Sequence, residues 1–210
     1  LMAVYQKNKI QEDVRIALDQ NTNSDTLKII GDVDTLALDD IIASKIVEAV
    51  KRVHSSASPY LLDGGHNFGD AIYWKEHESG WILLPEDFMR LVAFQMNDWE
   101  RAVFNPISTD DPEYKKQSSR FKGIRGTCQR PVCAISIRPE GRVMEFYSCK
   151  TTVSRAVYLP YPEIDIYDSI EICEKCYDAV IYTIAALVLT TFGDTEKSAA
   201  LNELAKSVLI

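Results

Sequence analysis

The sequence predicts an α+β fold in which N- and C-terminal helices form a bundle and a central β-sheet or hairpin segment is inserted between them. Apolar residues recur at helical spacing in the first sixty residues and again in the last fifty. The stretch between them is cut by glycines into short runs rich in aromatic and β-branched residues. A helix cannot bury its apolar stripe alone, so the terminal helices are expected to pack together, with the β part projecting from them. The expected organisation is N-terminal helices over 1–59, a β-rich region over 60–162 and C-terminal helices over 163–210, as one domain with a β elaboration.

Taking the elements in order, Ile10, Val14, Ala17 and Leu18 fall at i, i+4, i+7 and i+8, which predicts a helix over 4–19. A polar turn over 21–25 and a connector over 28–34 carrying Gly31 follow. Leu38, Ile41, Ile42, Ile46, Ala49, Val50 and Val53 form the stripe of a second helix, with Asp34 or Thr35 as its N-cap. It stops before Ser58-Pro59, because the residue preceding proline is pushed out of the helical region. Strands are expected over 71–74, 81–84, 132–137, 143–147 and 155–159, with Pro139-Glu140-Gly141 as a hairpin turn. Asp110-Asp111-Pro112 reads as the turn that starts a helix over 113–119, with Pro112 at its first position. Ile170, Cys173, Tyr177, Val180, Ile184, Leu187 and Val188 then repeat at helical spacing. Gly193-Asp194 separates them from a last helix with Ala200, Leu201, Leu204, Ala205 and Val208.

Composition excludes several classes. With 46 % hydrophobic and 26 % charged residues over 210, the chain can bury a sizeable core, unlike a disordered or disulfide-stapled scaffold. The longest apolar stretch, 179–191, is shorter than the ~20 residues of a membrane helix, so a soluble protein with no membrane partner is expected. A formal charge of −8 opposes general affinity for DNA. Five cysteines, an odd number, and a start without secretory character point to reduced thiols in a cytoplasm.

No catalytic constellation emerges. His54, His66 and His77 are the only histidines, and no two stand four residues apart as a metalloprotease pair would. Walker, GxGxxG and GxSxG patterns are absent, and Gly64-Gly65-His66 is read as a turn. Cys173-Glu174-Lys175-Cys176, with Cys128 and Cys133, could supply four thiolates to zinc. The reading adopted places Cys173 and Cys176 on a helical stripe as small hydrophobes, with no metal and no cofactor. A redox dithiol would need the CxxC at a helix start after a strand. Glu86, Asp87, Asp110 and Asp111 have no recognisable nucleophile or metal beside them, so no enzyme is expected.

The most informative feature is electrostatic. Residues 114–139 hold Lys115, Lys116, Arg120, Lys122, Arg125, Arg130 and Arg138 with no Asp or Glu. The rest of the chain keeps sixteen cations against 31 acids, a charge of −15. A block of one sign in a chain of the other is a docking element, either for a neighbour or for acidic surface of the same subunit. A sequence-tolerant nucleic-acid site using Lys115 to Arg130 with Tyr114 and Phe121 is the alternative. A metal- or cysteine-dependent enzyme, which needs the cysteines to converge, is a further one.

The segment Gly80-Trp81-Ile82-Leu83-Leu84-Pro85-Glu86-Asp87-Phe88-Met89-Arg90-Leu91, followed by Met96-Asn97-Asp98-Trp99-Glu100-Arg101, resembles the head-to-tail connector proteins of short-tailed phages, including the crAss-like gut phages. The resemblance rests on Pro85, Asp87, Phe88, Arg90, Leu91, Trp99 and Arg101 and continues through Gln117-Ser118-Ser119 to Ala156-Val157-Tyr158-Leu159-Pro160. It covers roughly 38–191. What it implies is a non-enzymatic subunit of a homo-oligomeric ring, commonly of twelve copies, in the virion neck. Such a ring joins the portal protein to the tail or further rings, lets DNA pass without specific binding, and is assembled in the bacterial host cytoplasm. Lys115, Lys116, Arg120, Lys122, Arg125 and Arg130 are its expected assembly contacts.

Overall fold

The computed structural model describes residues 2–21 and 35–209. The expected turn beyond Asn21, the connector over 28–34 and the Asp34 cap lie outside them. The elements are β1 (Met2–Gln6), α1 (Lys7–Asn21), α2 (Thr35–Ser56), β2 (His66–Asn67), β3 (Tyr73–Lys75), β4 (Ser79–Leu83), β5 (Phe88–Met96), β6 (Ile107–Ser108), α3 (Pro112–Lys116), β7 (Cys133–Arg138), β8 (Gly141–Phe146), β9 (Val153–Pro160), β10 (Ser169–Cys173), α4 (Tyr177–Thr191) and α5 (Thr195–Ser207). With 37 % helix and 27 % strand, the fold is mixed helix and sheet, consistent with the α+β class. Two compact units are present: Leu1–Gly64 with Tyr161–Ile210, and Gly65–Pro160.

In the first unit α4 is the central element. Val180, Ile184, Ala185, Val188 and Leu189 are fully buried, as expected of a helix that is apolar on nearly every face. Helices α1, α2 and α5 pack against it with the stripes that the sequence shows, Ile10, Val14, Ile42, Ile46 and Leu201 among them. The α4–α5 corner turns on Gly193, whose φ of +83° favours glycine, and Asp194 caps α5 by accepting from the Lys197 amide at 3.2 Å. Two expectations are corrected here. Residues 4–6 belong to strand β1 rather than to the first helix, and residues 170–173 form strand β10, its antiparallel partner. The helix expected from Ile170 begins only at Tyr177, after a 3-10 turn over Glu174–Cys176.

The second unit contains a five-stranded sheet in the order β3-β4-β8-β7-β6 and a three-stranded sheet in the order β2-β9-β5. Inward side chains from both sheets form one aromatic core around Phe68, Phe88, Phe94, Phe146 and Tyr158. Strand β5 is absent from the strands expected from the sequence: residues 88–96 form a nine-residue strand paired with β9. Arg138 pairs with Gly141 across Pro139-Glu140 in the β7–β8 hairpin. Asp111 accepts from the Glu113 amide and Pro112 opens α3, which ends at Lys116 instead of running to residue 119. Gly65 leads directly into β2, and a Cβ there would stand 2.4 Å from the Tyr158 carbonyl oxygen, so close backbone approach dictates this glycine.

Candidate functional site

The basic stretch of the second unit divides into satisfied and unsatisfied charges. Arg138 donates to Glu145 at 2.9 Å and lies over the Trp81 ring; Lys122 pairs with Glu78 at 3.2 Å; Lys116 pairs with Glu113. Arg125 is buried, at 7 % exposure, and its Nη1 donates to the His77 carbonyl at 2.6 Å. Lys115, Arg120 and Arg130 face solvent and form no ion pair among the described residues. In the same stretch Phe121 and Ile124 are 68 % and 51 % exposed.

Four separate segments enclose a cleft of about 790 Å³: the β3–β4 hairpin with Lys75 and His77, helix α3 with Tyr114 and Lys115, the loop carrying Arg125, and Glu145 with Tyr147 from the β8 end. Glu145 is the floor. Its Oε1 accepts from Ser136 at 2.7 Å and from Arg138, and its Oε2 accepts from Tyr147 at 3.0 Å, with Lys75 at 3.7 Å. Burial alone would raise this carboxyl; the hydrogen bonds from Ser136, Arg138 and Tyr147 and the charge of Lys75 hold it below its ordinary value. Burial and the same carboxylate push the Tyr147 and Tyr114 hydroxyls up. The hairpin tip carries two left-handed residues, His77 and Glu78, both at φ +59°. Arg125 holds the His77 carbonyl, while Lys150 and Lys122 bond Glu78 and keep its carboxyl low. Of this cleft, the sequence reading named only Tyr114, Lys115 and Arg125 as docking or binding residues.

The residues of the connector-like segment sit elsewhere in the same unit. Phe88, Leu91 and Trp99 are core side chains. Asp87 accepts from the Tyr158 hydroxyl at 2.9 Å, pinning the start of β5 to β9. Pro85 and Arg90 are partly buried and Arg101 is exposed.

All five cysteines are free thiols. Contrary to the helical-stripe reading, Cys173 ends a strand and Cys176 precedes a helix, which is the strand-to-helix position a redox dithiol uses. Both are fully buried, and burial, with the charge of Asp63, pushes the Cys173 thiol up to about 11, the opposite of an activated thiol. His54, buried nearby, accepts the Cys173 amide at 3.2 Å through Nε2. Among the described residues no group of three or more His, Cys, Asp or Glu could hold a metal ion, and no helix is long and apolar enough to cross a membrane. The chain matches no protein-family model and no curated protein.

Proposed function

We propose that the chain is a structural, non-catalytic subunit of a phage neck or connector ring that joins portal to tail around the DNA channel. In this reading the N- and C-terminal helices form a bundle that packs between neighbours, and the β-rich segment is the elaboration that reaches the adjoining ring. The observation that carries it is that Lys115, Arg120 and Arg130 are exposed with no ion pair among the described residues, in a stretch that also exposes Phe121 and Ile124. A stretch exposing cations and apolar side chains together suits a protein partner with acidic surface, and every identical copy offers acid in excess. A heterologous contact of that kind closes into a ring by rotation. The connector-like segment 80–101 supplies the class of ring, and with it the virion location, the portal and tail partners and a copy number commonly of twelve. Reversal of Lys115, Arg120 and Arg130 to Glu is expected to block assembly of purified subunits on their portal, read by sedimentation. Normal assembly of that variant would remove the surface from the account.

A sequence-tolerant nucleic-acid module is the second reading, favoured by Phe121 exposed between Arg120 and Lys122 as a stacking platform flanked by charge. Loss of salt-dependent DNA binding in the same variant, with assembly intact, would select it.

A further inference from the structure

The cleft beside α3 holds a charge that the protein does not neutralise. Arg125 is more than nine-tenths buried, yet among the described residues its guanidinium finds one acceptor, the neutral carbonyl of His77. Its Nε is enclosed without a partner. A guanidinium held mostly out of water without a counter-charge is costly, and an anion entering the cleft would offset that cost. Among the described residues the wall holds two carboxylates and neither pairs with Arg125: Glu145 is already bonded by Ser136, Arg138 and Tyr147 with Lys75 beside it, and Glu76 is exposed on the hairpin. Lys115 lines the same cleft, exposed and without an ion pair among the described residues.

We propose that this cleft is an oxyanion-binding site in which Arg125 and Lys115 hold a carboxylate or phosphate group. Arg125 supplies the directional hydrogen bonds and Lys115 a mobile point charge at the mouth. A volume of about 790 Å³ exceeds what an inorganic ion fills, so the group arrives on a larger body, packed against the Tyr114 and Tyr147 rings. The left-handed His77-Glu78 tip fits this role, since strained backbone persists where the surroundings fix it, and Arg125 and the lysines on Glu78 do so. The body is either a free organic acid or phosphate, or an acidic side chain of a second copy; the recognising chemistry is the same. The lining residues all belong to one unit of one chain; the free-anion form is independent of the ring reading, while the second-copy form shares Lys115 with it and is told apart by its need for Arg125.

The test is calorimetric titration of the full chain with succinate and with inorganic phosphate, using succinamide as the neutral control, beside sedimentation across protein concentration. Saturable binding of one anion per chain, absent with succinamide, is expected. Lys115→Gln should weaken it about tenfold and Arg125→Gln should abolish it, while Arg125→Lys, which keeps the charge if the Gln variant misfolds, should retain weakened binding. If neither anion binds but the chain self-associates, and Lys115→Gln and Arg125→Lys both weaken that association, the acid comes from a second copy and the site stands. Folded protein that neither binds an anion nor associates, or binding and association indifferent to both residues, would overturn the proposal.

Discussion

Arg138, at the turn end of β7, reaches back along the β7–β8 hairpin to Glu145, which stands opposite Ala134, and its Nη2 lies 2.9 Å from Oε1 of the glutamate. That pair takes one of the seven cations of the basic stretch out of the surface and makes it part of the fold. Glu145→Gln leaves Arg138 without its counter-charge, and a loss of about 3 kcal/mol of stability is expected at pH 7 by urea denaturation. The Glu145 carboxyl lies below its ordinary value in the folded chain. Its contribution is therefore present above the unfolded value of about 4.3 and disappears as pH falls through the folded value. The difference between wild type and variant should narrow accordingly below about pH 4.

The connector-like segment acts on stability. Tyr158→Phe removes the bond to Asp87 and should cost about 1 kcal/mol. Phe88→Ala empties a site stacked on Tyr158 at 5.5 Å and should cost about 4 kcal/mol. Equal effects of the two in denaturant melts would contradict this packing.

Thiol reactivity follows burial. Cys128, partly exposed, should alkylate first in native protein, while Cys133, Cys149, Cys173 and Cys176 react only on unfolding. Burial pushes the Cys149 thiol up to about 11, so little thiolate exists near neutral pH. Joint substitution of Cys173 and Cys176 by Ala should cost about 1–3 kcal/mol without abolishing folding. Rapid native modification of Cys173 would show that the strand-to-helix dithiol is active after all.

Charge reversals separate surface from fold. Lys116→Glu with Lys122→Glu breaks exposed pairs with Glu113 and Glu78, and a change of no more than about 1 kcal/mol is expected, with assembly retained. Lys115→Glu, Arg120→Glu and Arg130→Glu together should leave the melting temperature unchanged and weaken assembly. Assembly should also weaken as salt rises through a few hundred millimolar.

The helical stripes of α1, α2 and α5 were legible because one face of each is buried and the other is wet, which writes the helical period into the sequence. The β7–β8 hairpin was legible through alternation and its Pro139-Glu140-Gly141 turn. Strand β1 was not: its partner β10 lies some 165 residues away, and Val4 merges with the helix that follows. In β10 the spacing of Ile170, Cys173 and Tyr177 imitates a helix, whereas Ile170, Glu171 and Ile172 carry the alternation that a strand would show. Strand β5 reads as a nearly continuous apolar run because Leu91, Val92, Ala93 and Phe94 are all buried, so period two is lost. The cleft assembles from four distant segments, which no local pattern records. Its one available signal was Glu145, a lone acid in the otherwise apolar run from Val143 to Tyr147.

The mass of the native particle tests the central claim most directly. Native mass spectrometry of the subunit assembled with its portal, once the portal's own mass is subtracted, should leave a whole-number multiple of the 23.7 kDa chain consistent with a closed cyclic ring. A chain that stays monomeric beside that portal and is missing from purified virions would contradict it.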